Sequence, residues 1–430
     1  MSVANNIPSL APGAAGPSRH LFTALGANIR SSGMLVALLL AVAFFQLTTN
    51  GVMLKSLNVT NVFLQNGYIL VMALGMLLII VIGHIDLSVG SVAGFLGAIA
   101  AVLMATYKLD PVLAVAITLI AGGLIGVWQG FWVSYLRVPS FIVTLAGMLL
   151  FRGATLWMLG GQPVGPFHES FRAISSGFIP EIIGTLKDPF GTVDIVLLMI
   201  GSTKIVLPLG GGDLQLTTLL LGALLSAAVV FMGRRSRLEQ LKYGFTVPSM
   251  GQFVARNALI VMGVMFIAYR LAGYKGLPIV ALLAFILIGF YMFMTLRTVV
   301  GRRIYAVGGN AKAAMLSGVN SKRMVLLSFI NMGVLAALGG IIIAARFNSA
   351  TPKAGYGFEL DVIAATFVGG ASAYGGVGTV AGTVIGALFF GLLNIGMGVM
   401  SIPIDFQFVI KALVLLVAVY FDVSSKNKEG

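Results

Sequence analysis

Long apolar runs dominate this 430-residue sequence and decide what it can fold into. About 20 predominantly apolar residues in a helix cross the roughly 30 Å of hydrocarbon in a bilayer. Hydrophobic residues make up 58% of the chain and charged residues only 9%, whereas a soluble domain carries about 25% charged residues. So few charges cannot cover a water-facing surface. The sequence therefore predicts an all-α polytopic membrane protein.

The lengths of the apolar runs predict about 10–12 transmembrane helices. One run, at 361–373, is short and rich in glycine, so we expect a broken or re-entrant helix there. The segments that predict helices lie at 34–50, 62–83, 88–106, 111–134, 140–159, 216–233, 257–272, 278–296, 324–345, 361–373, 378–399 and 406–421.

The loops between these segments differ in charge, and the difference predicts an orientation. Cytoplasmic loops carry the excess of Lys and Arg. The loops at 234–256 and 297–323 are strongly basic, and the second contains no acidic residue, whereas 160–215 holds more acidic than basic residues. We therefore expect 160–215 outside and both chain termini in the cytoplasm.

A short internal repeat suggests that the membrane part consists of two halves. Residues 90–94 read Gly-Ser-Val-Ala-Gly and residues 378–382 read Gly-Thr-Val-Ala-Gly, and transporters are often built from two repeated halves. We predict six parts: a flexible cytoplasmic tail (1–32), a first membrane half (33–160), a periplasmic insertion (161–215), an extra helix pair with a basic cytoplasmic loop (216–275), a second membrane half (276–421) and a cytoplasmic tail (422–430).

Several kinds of chemistry are not expected of this chain. It has no cysteine, its three histidines lie far apart, and the phosphate-binding pattern GxxxxGK[ST] is missing. No Ser/His/Asp, HExxH or paired-carboxylate arrangement supports an intramembrane enzyme. We therefore expect no catalytic residue, metal site or bound cofactor. The net charge of +14 comes from basic loops rather than a nucleic-acid surface.

Polar residues inside apolar surroundings are candidates for contact with a transported solute. Asp86, before an apolar run, either caps the next helix or contacts substrate or an ion. The amides Asn66, Gln129, Asn331 and Asn394 suit either a sugar hydroxyl or hydrogen bonds between helices.

The basic loop 297–323 contains start and stop signals for a short helix. Asn310 can cap a helix through Ala311–Ser317, and Gly318 can end it. So short a helix is marginal alone, which favours docking into a groove of a cytoplasmic partner. The alternative is a solvated basic turn.

Residues in and around this loop resemble a known family. Lys312-Ala313-Ala314, followed after three residues by Gly318, resembles the Glu-Ala-Ala-x-x-x-Gly motif of ABC-importer permeases, with Lys312 in place of the glutamate. Residues 301–310, 85–91 and 138–148 resemble the ribose/xylose permeases. The resemblance covers 34–422, and the extra helix pair is most similar to xylose-type or multiple-monosaccharide permeases.

This resemblance implies a permease that carries a monosaccharide across the bacterial inner membrane. The implied partners are a second copy of the chain, a tandem-domain ATPase that uses ATP and Mg²⁺, a periplasmic sugar-binding protein and membrane lipid. The implied fold is that of the vitamin B12 importer's membrane subunit. Residues implied in coupling to the ATPase are Arg302, Arg303, Tyr305, Asn310, Ala313, Ala314 and Gly318, and those expected in the translocation path are Asp86, Ser88, Gly90, Ser91, Gly376 and Gly378.

A second hypothesis is an ion-coupled secondary transporter with His84 and Asp86 as the ion site. Ion coupling usually needs carboxylates within the membrane. The apolar segments are poor in acidic residues, which disfavours this alternative.

Overall fold

The computed structural model describes residues 17–189, 194–200, 203–208, 213–245, 247 and 249–426. Helices account for most of this part of the chain. They are α1 (Pro17–Thr48), α2 (Ser56–Val81), α3 (Val89–Ala105), α4 (Pro111–Ser134), α5 (Ser140–Leu159), α6 (Glu169–Ser176), α7 (Leu216–Lys242), α8 (Met250–Ala272), α9 (Ile279–Arg297), α10 (Val299–Gly309), α11 (Ala311–Leu316), α12 (Ser321–Phe347), α13 (Phe358–Val368), α14 (Val380–Val399) and α15 (Ile404–Lys426).

Eight helices in the described part of the chain are long and apolar enough to cross a membrane: α2, α4, α5, α7, α8, α9, α12 and α14. Two shorter apolar helices, at Gly33–Thr48 within α1 and at α3, accompany them. The predicted all-α polytopic membrane protein is therefore confirmed. The total of 10–12 crossings stays a prediction.

The bundle is organised around α2 and α12, which are the most buried of these eight helices. In α2, 94% of the residues in its apolar stretch are buried, compared with 6% in α8. α12 packs along α2, α3 and α4, while α7 and α8 pack mainly on each other. The extra helix pair α7–α8 therefore lies at the periphery of the bundle.

Glycines let α4 and α12 approach each other closely. A Cβ atom at Gly122 would overlap the carbonyl oxygen of Gly333, and one at Gly333 would overlap that of Gly122. One turn further along α4, a Cβ at Gly126 would overlap the carbonyl oxygen of Phe329. The four-residue glycine spacing is therefore a packing pattern of the kind common between membrane helices.

The short segment predicted at 361–373 is a short helix followed by an irregular loop. α13 has 11 residues and is about 16 Å long, too short to cross a bilayer. The loop 369–379 after it contains Gly370, Gly375 and Gly376, each with a positive φ angle. Both copies of the internal repeat lie at a helix start after a glycine-containing turn, since Gly90 is the second residue of α3 and Gly378 lies two residues before α14.

Two segments are more helical than the sequence suggested. α7 continues to Lys242 and α8 begins at Met250, so only a short connection remains of the predicted loop 234–256. Apart from Ser236, residues 234–242 are Arg, Leu, Glu, Gln and Lys, which are good helix formers. Hydropathy does not detect such a polar extension. Similarly, α1 begins at Pro17, within the predicted tail 1–32, whereas residues 1–16 and 427–430 lie outside the described residues.

The described residues of the segment 161–215 form α6 and four short strands, β1 (Thr185–Leu186), β2 (Asp194–Ile200), β3 (Thr203–Pro208) and β4 (Leu214–Gln215). β1 pairs with β4 and β2 pairs with β3, both in antiparallel orientation. Glu181 ties this segment to the start of α7, because its Oε1 accepts hydrogen bonds from the Thr217 hydroxyl at 2.6 Å and from the Ile183 and Gly184 backbone N–H groups at 2.9 Å.

Candidate functional site

The predicted short helix of the basic loop is present as α11. The side-chain oxygen of Asn310 accepts a hydrogen bond from the Ala313 N–H at 2.9 Å and so caps the helix. Gly318 follows the helix with a φ angle of +81°, a conformation that favours glycine. The sequence did not predict α10, which precedes α11. Thr298 caps α10, because its hydroxyl oxygen accepts a hydrogen bond from the Gly301 N–H.

The outer face of α10–α11 combines apolar and basic side chains. Leu316 is 88% exposed and Met315 is 62% exposed. Arg302, Arg303 and Lys312 are exposed as well, Ala313 is exposed beside them, and Ala314 is buried beneath. We call Arg302, Arg303, Lys312, Met315 and Leu316 the coupling surface. Its shape and chemistry suit a partner that offers an apolar groove with acidic residues around it.

Beneath the coupling surface, α10 contacts two other parts of the chain, through one tyrosine hydroxyl and through its glycine backbone. The Tyr305 hydroxyl donates to the Gly378 carbonyl oxygen at 2.8 Å. The Gly376 N–H donates to the Val81 carbonyl oxygen at 2.7 Å, and a Cβ at Gly308 would overlap that same oxygen. We call Val81, Tyr305, Gly308, Gly376 and Gly378 the glycine seam. It places Gly376 and Gly378, which we expected in the translocation path, directly against α10.

Asp86 organises the turn before α3. Its Oδ1 accepts hydrogen bonds from the Ser88 N–H at 2.8 Å and the Ser88 hydroxyl at 2.6 Å. The Gln129 amide donates to the Ser88 hydroxyl oxygen at 2.7 Å. Ser88 stands directly before α3, and its own side chain makes no capping hydrogen bond to that helix. Of the two interpretations of Asp86, the geometry favours the local one, because this 2% exposed carboxylate holds the helix start.

A second polar group joins α3, α5 and α13. Arg152 donates from Nη2 to Glu359 Oε1 at 2.8 Å and from Nε to the Ser91 hydroxyl oxygen at 3.1 Å. Its guanidinium carbon lies 4.7 Å from the centre of the Tyr356 ring. A Cβ at Gly90 would overlap Glu359 Oε2. We call Ser91, Arg152, Tyr356 and Glu359 the arginine cluster.

A third polar group joins α2, α13, α14 and α15. Lys411 Nζ lies 3.0 Å from both carboxylate oxygens of Asp361. The Asn394 amide donates to Asn66 Oδ1 at 2.9 Å and to Asp361 Oδ2 at 3.4 Å. We call Asn66, Asp361, Asn394 and Lys411 the lysine cluster. Asn331, the remaining amide of interest, accepts a hydrogen bond from the Tyr291 hydroxyl. Asn66, Asn331 and Asn394 therefore bond between helices.

The sequence did not single out Arg152, Tyr356, Glu359, Asp361 or Lys411. An available signal was Arg152 itself, a cation inside an apolar run, since charged residues within membrane segments are costly and usually paired. Its partner Glu359 lies 207 residues away. No local pattern predicts that pairing.

The chain is similar in sequence to known transport proteins. Residues 58–419 match the family described as branched-chain amino acid transport system / permease component. The xylose transport system permease protein XylH of Escherichia coli K12 is 36% identical over 401 residues, 93% of each chain. Its namesake from Haemophilus influenzae is 35% identical over 408 residues, 95% of this chain and 100% of the relative.

Ribose import permeases are similar over a shorter stretch. RbsC of Escherichia coli K12 is 33% identical over 365 residues, 85% of each chain. No solved structure matches this chain, so the expected likeness to the vitamin B12 importer stays a prediction. The match over 58–419, together with the relatives that span nearly the whole chain, shows that the protein belongs to the permease-component family of the branched-chain amino acid transport system type, which includes the xylose and ribose permeases.

Proposed function

We propose that this chain is the membrane-spanning permease subunit of an ATP-driven importer for a monosaccharide. The observation that carries the proposal is the coupling surface, an exposed apolar and basic helix pair in a chain that is 35–36% identical to xylose permeases over 93–95% of its length. A side chain as apolar and as exposed as Leu316 favours a protein partner. We assign that partner as a cytoplasmic ATPase that binds ATP and Mg²⁺.

The glycine seam suggests how a motion of the ATPase reaches the membrane. Tyr305 and Gly308 of α10 contact the loop 369–379 and the end of α2. That loop joins α13 to α14, and α13 carries Glu359 and Asp361 of the two intramembrane clusters. A displacement of α10 would therefore act on α13 through contiguous packed contacts, which shift as discrete arrangements rather than deform continuously.

The basic residues at the end of α7 and after α9 support a cytoplasmic position for the coupling surface. The coupling surface follows α9, and the second basic segment is the last part of α7, up to Lys242. Because Lys and Arg are enriched in cytoplasmic loops, we assign both basic segments to the cytoplasmic side of the bacterial inner membrane. In the same orientation, 161–215 lies in the periplasm, where it can meet a sugar-binding protein, and both termini are cytoplasmic.

The partly exposed Arg152 in α5 favours a second copy of the chain beside it. The Arg152 side chain is 30% exposed although α5 is a membrane span. A guanidinium is unfavourable against lipid hydrocarbon. We therefore place a second copy opposite this face, with the translocation path between the two copies.

Xylose is the favoured sugar among those named by the relatives. The xylose permeases align over 93–95% of this chain and the ribose permease over 85%.

The proposal is tested by replacing one exposed leucine of the coupling surface. Leu316→Asp should abolish co-purification of the partner ATPase, because a carboxylate in an apolar groove is strongly unfavourable. Leu241→Asp is the matched control, since Leu241 is 49% exposed and lies at the basic end of α7. Leu316 is a better probe than Gly318, whose positive φ angle makes any substitution strain the turn itself.

Membrane insertion of both variants is checked by their yield and elution profile in detergent. The coupling assignment fails if Leu316→Asp retains the ATPase as well as the unmodified chain does. It also fails if Leu241→Asp is the variant that loses the ATPase.

A further inference from the structure

We infer that the arginine cluster is a monosaccharide-contact site in the translocation path, in which Arg152 and Tyr356 touch the sugar and Glu359 positions Arg152. This inference rests on the proposed function. It assigns a role to residues that the sequence comparison does not single out.

The position of Arg152 argues against lipid surroundings. It lies seven residues before the end of α5, about 10 Å along the helix axis. Its side chain is nevertheless 30% exposed in one copy of the chain. Ionisable residues within membrane segments face a bundle interior or a water-filled cavity. The open side of the cluster therefore faces a path or a protein–protein boundary.

The open side offers the groups that a sugar needs. A guanidinium has five N–H donors, and the hydrogen bonds to Ser91 and Glu359 use two of them. The remaining donors can bind sugar hydroxyl oxygens. The Tyr356 ring beside them is 64% exposed, and such a ring offers an apolar face next to a polar hydroxyl. A sugar ring has the same two kinds of surface.

The charge of the cluster favours a neutral solute. Glu359 neutralises Arg152 at 2.8 Å, and its Oε2 lies against Gly90, where a Cβ would overlap it. Glu359 is 7% exposed, so it holds Arg152 from behind and does not face the solute. An amino acid carboxylate would require a cation that is not already paired. The cluster therefore suits a neutral polyol better than a branched-chain amino acid.

The absence of cysteine from the chain permits a direct test. Tyr356→Cys introduces a single thiol at the site, and Leu124→Cys introduces one at a 63% exposed position of α4 that we expect to face lipid. Each variant is assembled with its ATPase and binding protein in proteoliposomes and treated with a charged, membrane-impermeant thiol reagent. Thiolate chemistry requires water, so Tyr356→Cys should react and Leu124→Cys should not.

Sugar protection then distinguishes the site from mere exposure. D-Xylose at about ten times its Kd for the arginine cluster should slow the labelling of Tyr356→Cys about tenfold, because only a small fraction of these clusters remains free of sugar. If Tyr356→Cys does not assemble, Ser91→Cys replaces it, since the Ser91 hydroxyl oxygen lies 3.1 Å from Arg152 Nε.

Three results overturn the inference. Labelling as slow as that of Leu124→Cys would mean that lipid or protein covers the cluster. Labelling that D-xylose and D-ribose leave unchanged would mean that the cluster contacts no sugar. Protection by L-leucine alone would make it an amino acid site. Failure of the proposed function is seen separately, as a lack of ATP-dependent D-xylose uptake by the unmodified importer.

Discussion

The two intramembrane clusters bind α13 itself, whereas the glycine seam binds the loop 369–379 that follows α13, and the two use different kinds of contact. In the clusters, charged side chains bind at 2.8 and 3.0 Å across helices that are far apart in sequence. In the seam, backbone atoms of Val81, Gly308 and Gly376 pack together, with one tyrosine hydroxyl added.

The difference indicates a division of tasks. A charge pair in a low-dielectric surrounding loses much free energy when either partner is removed, so the clusters fix α13 against α5 and α15. A packed backbone contact has no such electrostatic cost and responds to displacement by steric contact. The seam is therefore suited to transmit motion, and the clusters are suited to define the states between which α13 moves.

The largest effect is expected when one partner of the lysine cluster is removed. Lys411→Met leaves the Asp361 carboxylate buried without its cation and should lower the free energy of unfolding by about 3–5 kcal/mol. Thermal unfolding in detergent micelles measures the loss. The double variant Asp361→Leu/Lys411→Met should recover most of it, because an apolar pair of similar volume is often neutral. A double variant as unstable as Lys411→Met would contradict this account of the clusters.

A smaller effect is expected when the glycine seam receives one methyl group. Gly308→Ala should cost about 1–3 kcal/mol, as overpacking does, because its Cβ would overlap the Val81 carbonyl oxygen. Gly309→Ala is the matched control, since a Cβ there has no neighbour within 4 Å. Thermal unfolding compares the melting temperatures of the two variants, and we expect that of Gly308→Ala to be lower. Equal melting temperatures would show that the seam is not closely packed.

A single hydrogen bond contributes less. Tyr305→Phe removes the bond to the Gly378 carbonyl oxygen at 2.8 Å and should cost about 0.5–1.5 kcal/mol. Tyr243→Phe, at a 74% exposed residue, should leave the unfolding temperature unchanged. If ATP-dependent sugar uptake is slowed by Tyr305→Phe and not by Tyr243→Phe, the seam has a role in coupling. Unchanged stability and uptake in both variants would remove Tyr305 from it.

The smallest effect concerns Glu181, a carboxylate outside the membrane. Partial desolvation raises its pKa, but hydrogen bonds from the Thr217 hydroxyl and from the Gly184, Ile183 and Thr217 N–H groups outweigh that and lower it below its usual 4.5. A lowered pKa stabilises the fold above pH 4.5 and ceases to do so as the pH falls through the folded-state pKa. Unfolding temperatures measured across acid pH should fall less steeply for Glu181→Gln. Parallel curves would contradict this assignment.

The sequence was informative where a local physical rule applies. Apolar length predicted the membrane spans, and Asn310 and Gly318 predicted α11 to within one residue at its end. These features depend on residues within one or two turns of each other. Capping and hydrophobic length act at that range.

Long-range pairing was not accessible in the same way. Arg152 and Glu359 are 207 residues apart, and only the folded bundle brings them together. α10 was missed because its glycines and basic residues resemble a loop, although tertiary contacts at Gly308 and Tyr305 stabilise it as a helix. The expected place of Gly376 and Gly378 in the translocation path stays a prediction. The structure places them against α10.

The central claim is that the coupling surface couples ATP hydrolysis by the partner ATPase to sugar transport through the permease. The most direct measurement is D-xylose uptake into proteoliposomes that contain the permease, its ATPase and its binding protein, with and without ATP and a proton uncoupler. We predict uptake that requires ATP, persists with the uncoupler and is lost in Leu316→Asp. Uptake that needs no ATPase and collapses with the uncoupler would contradict the account.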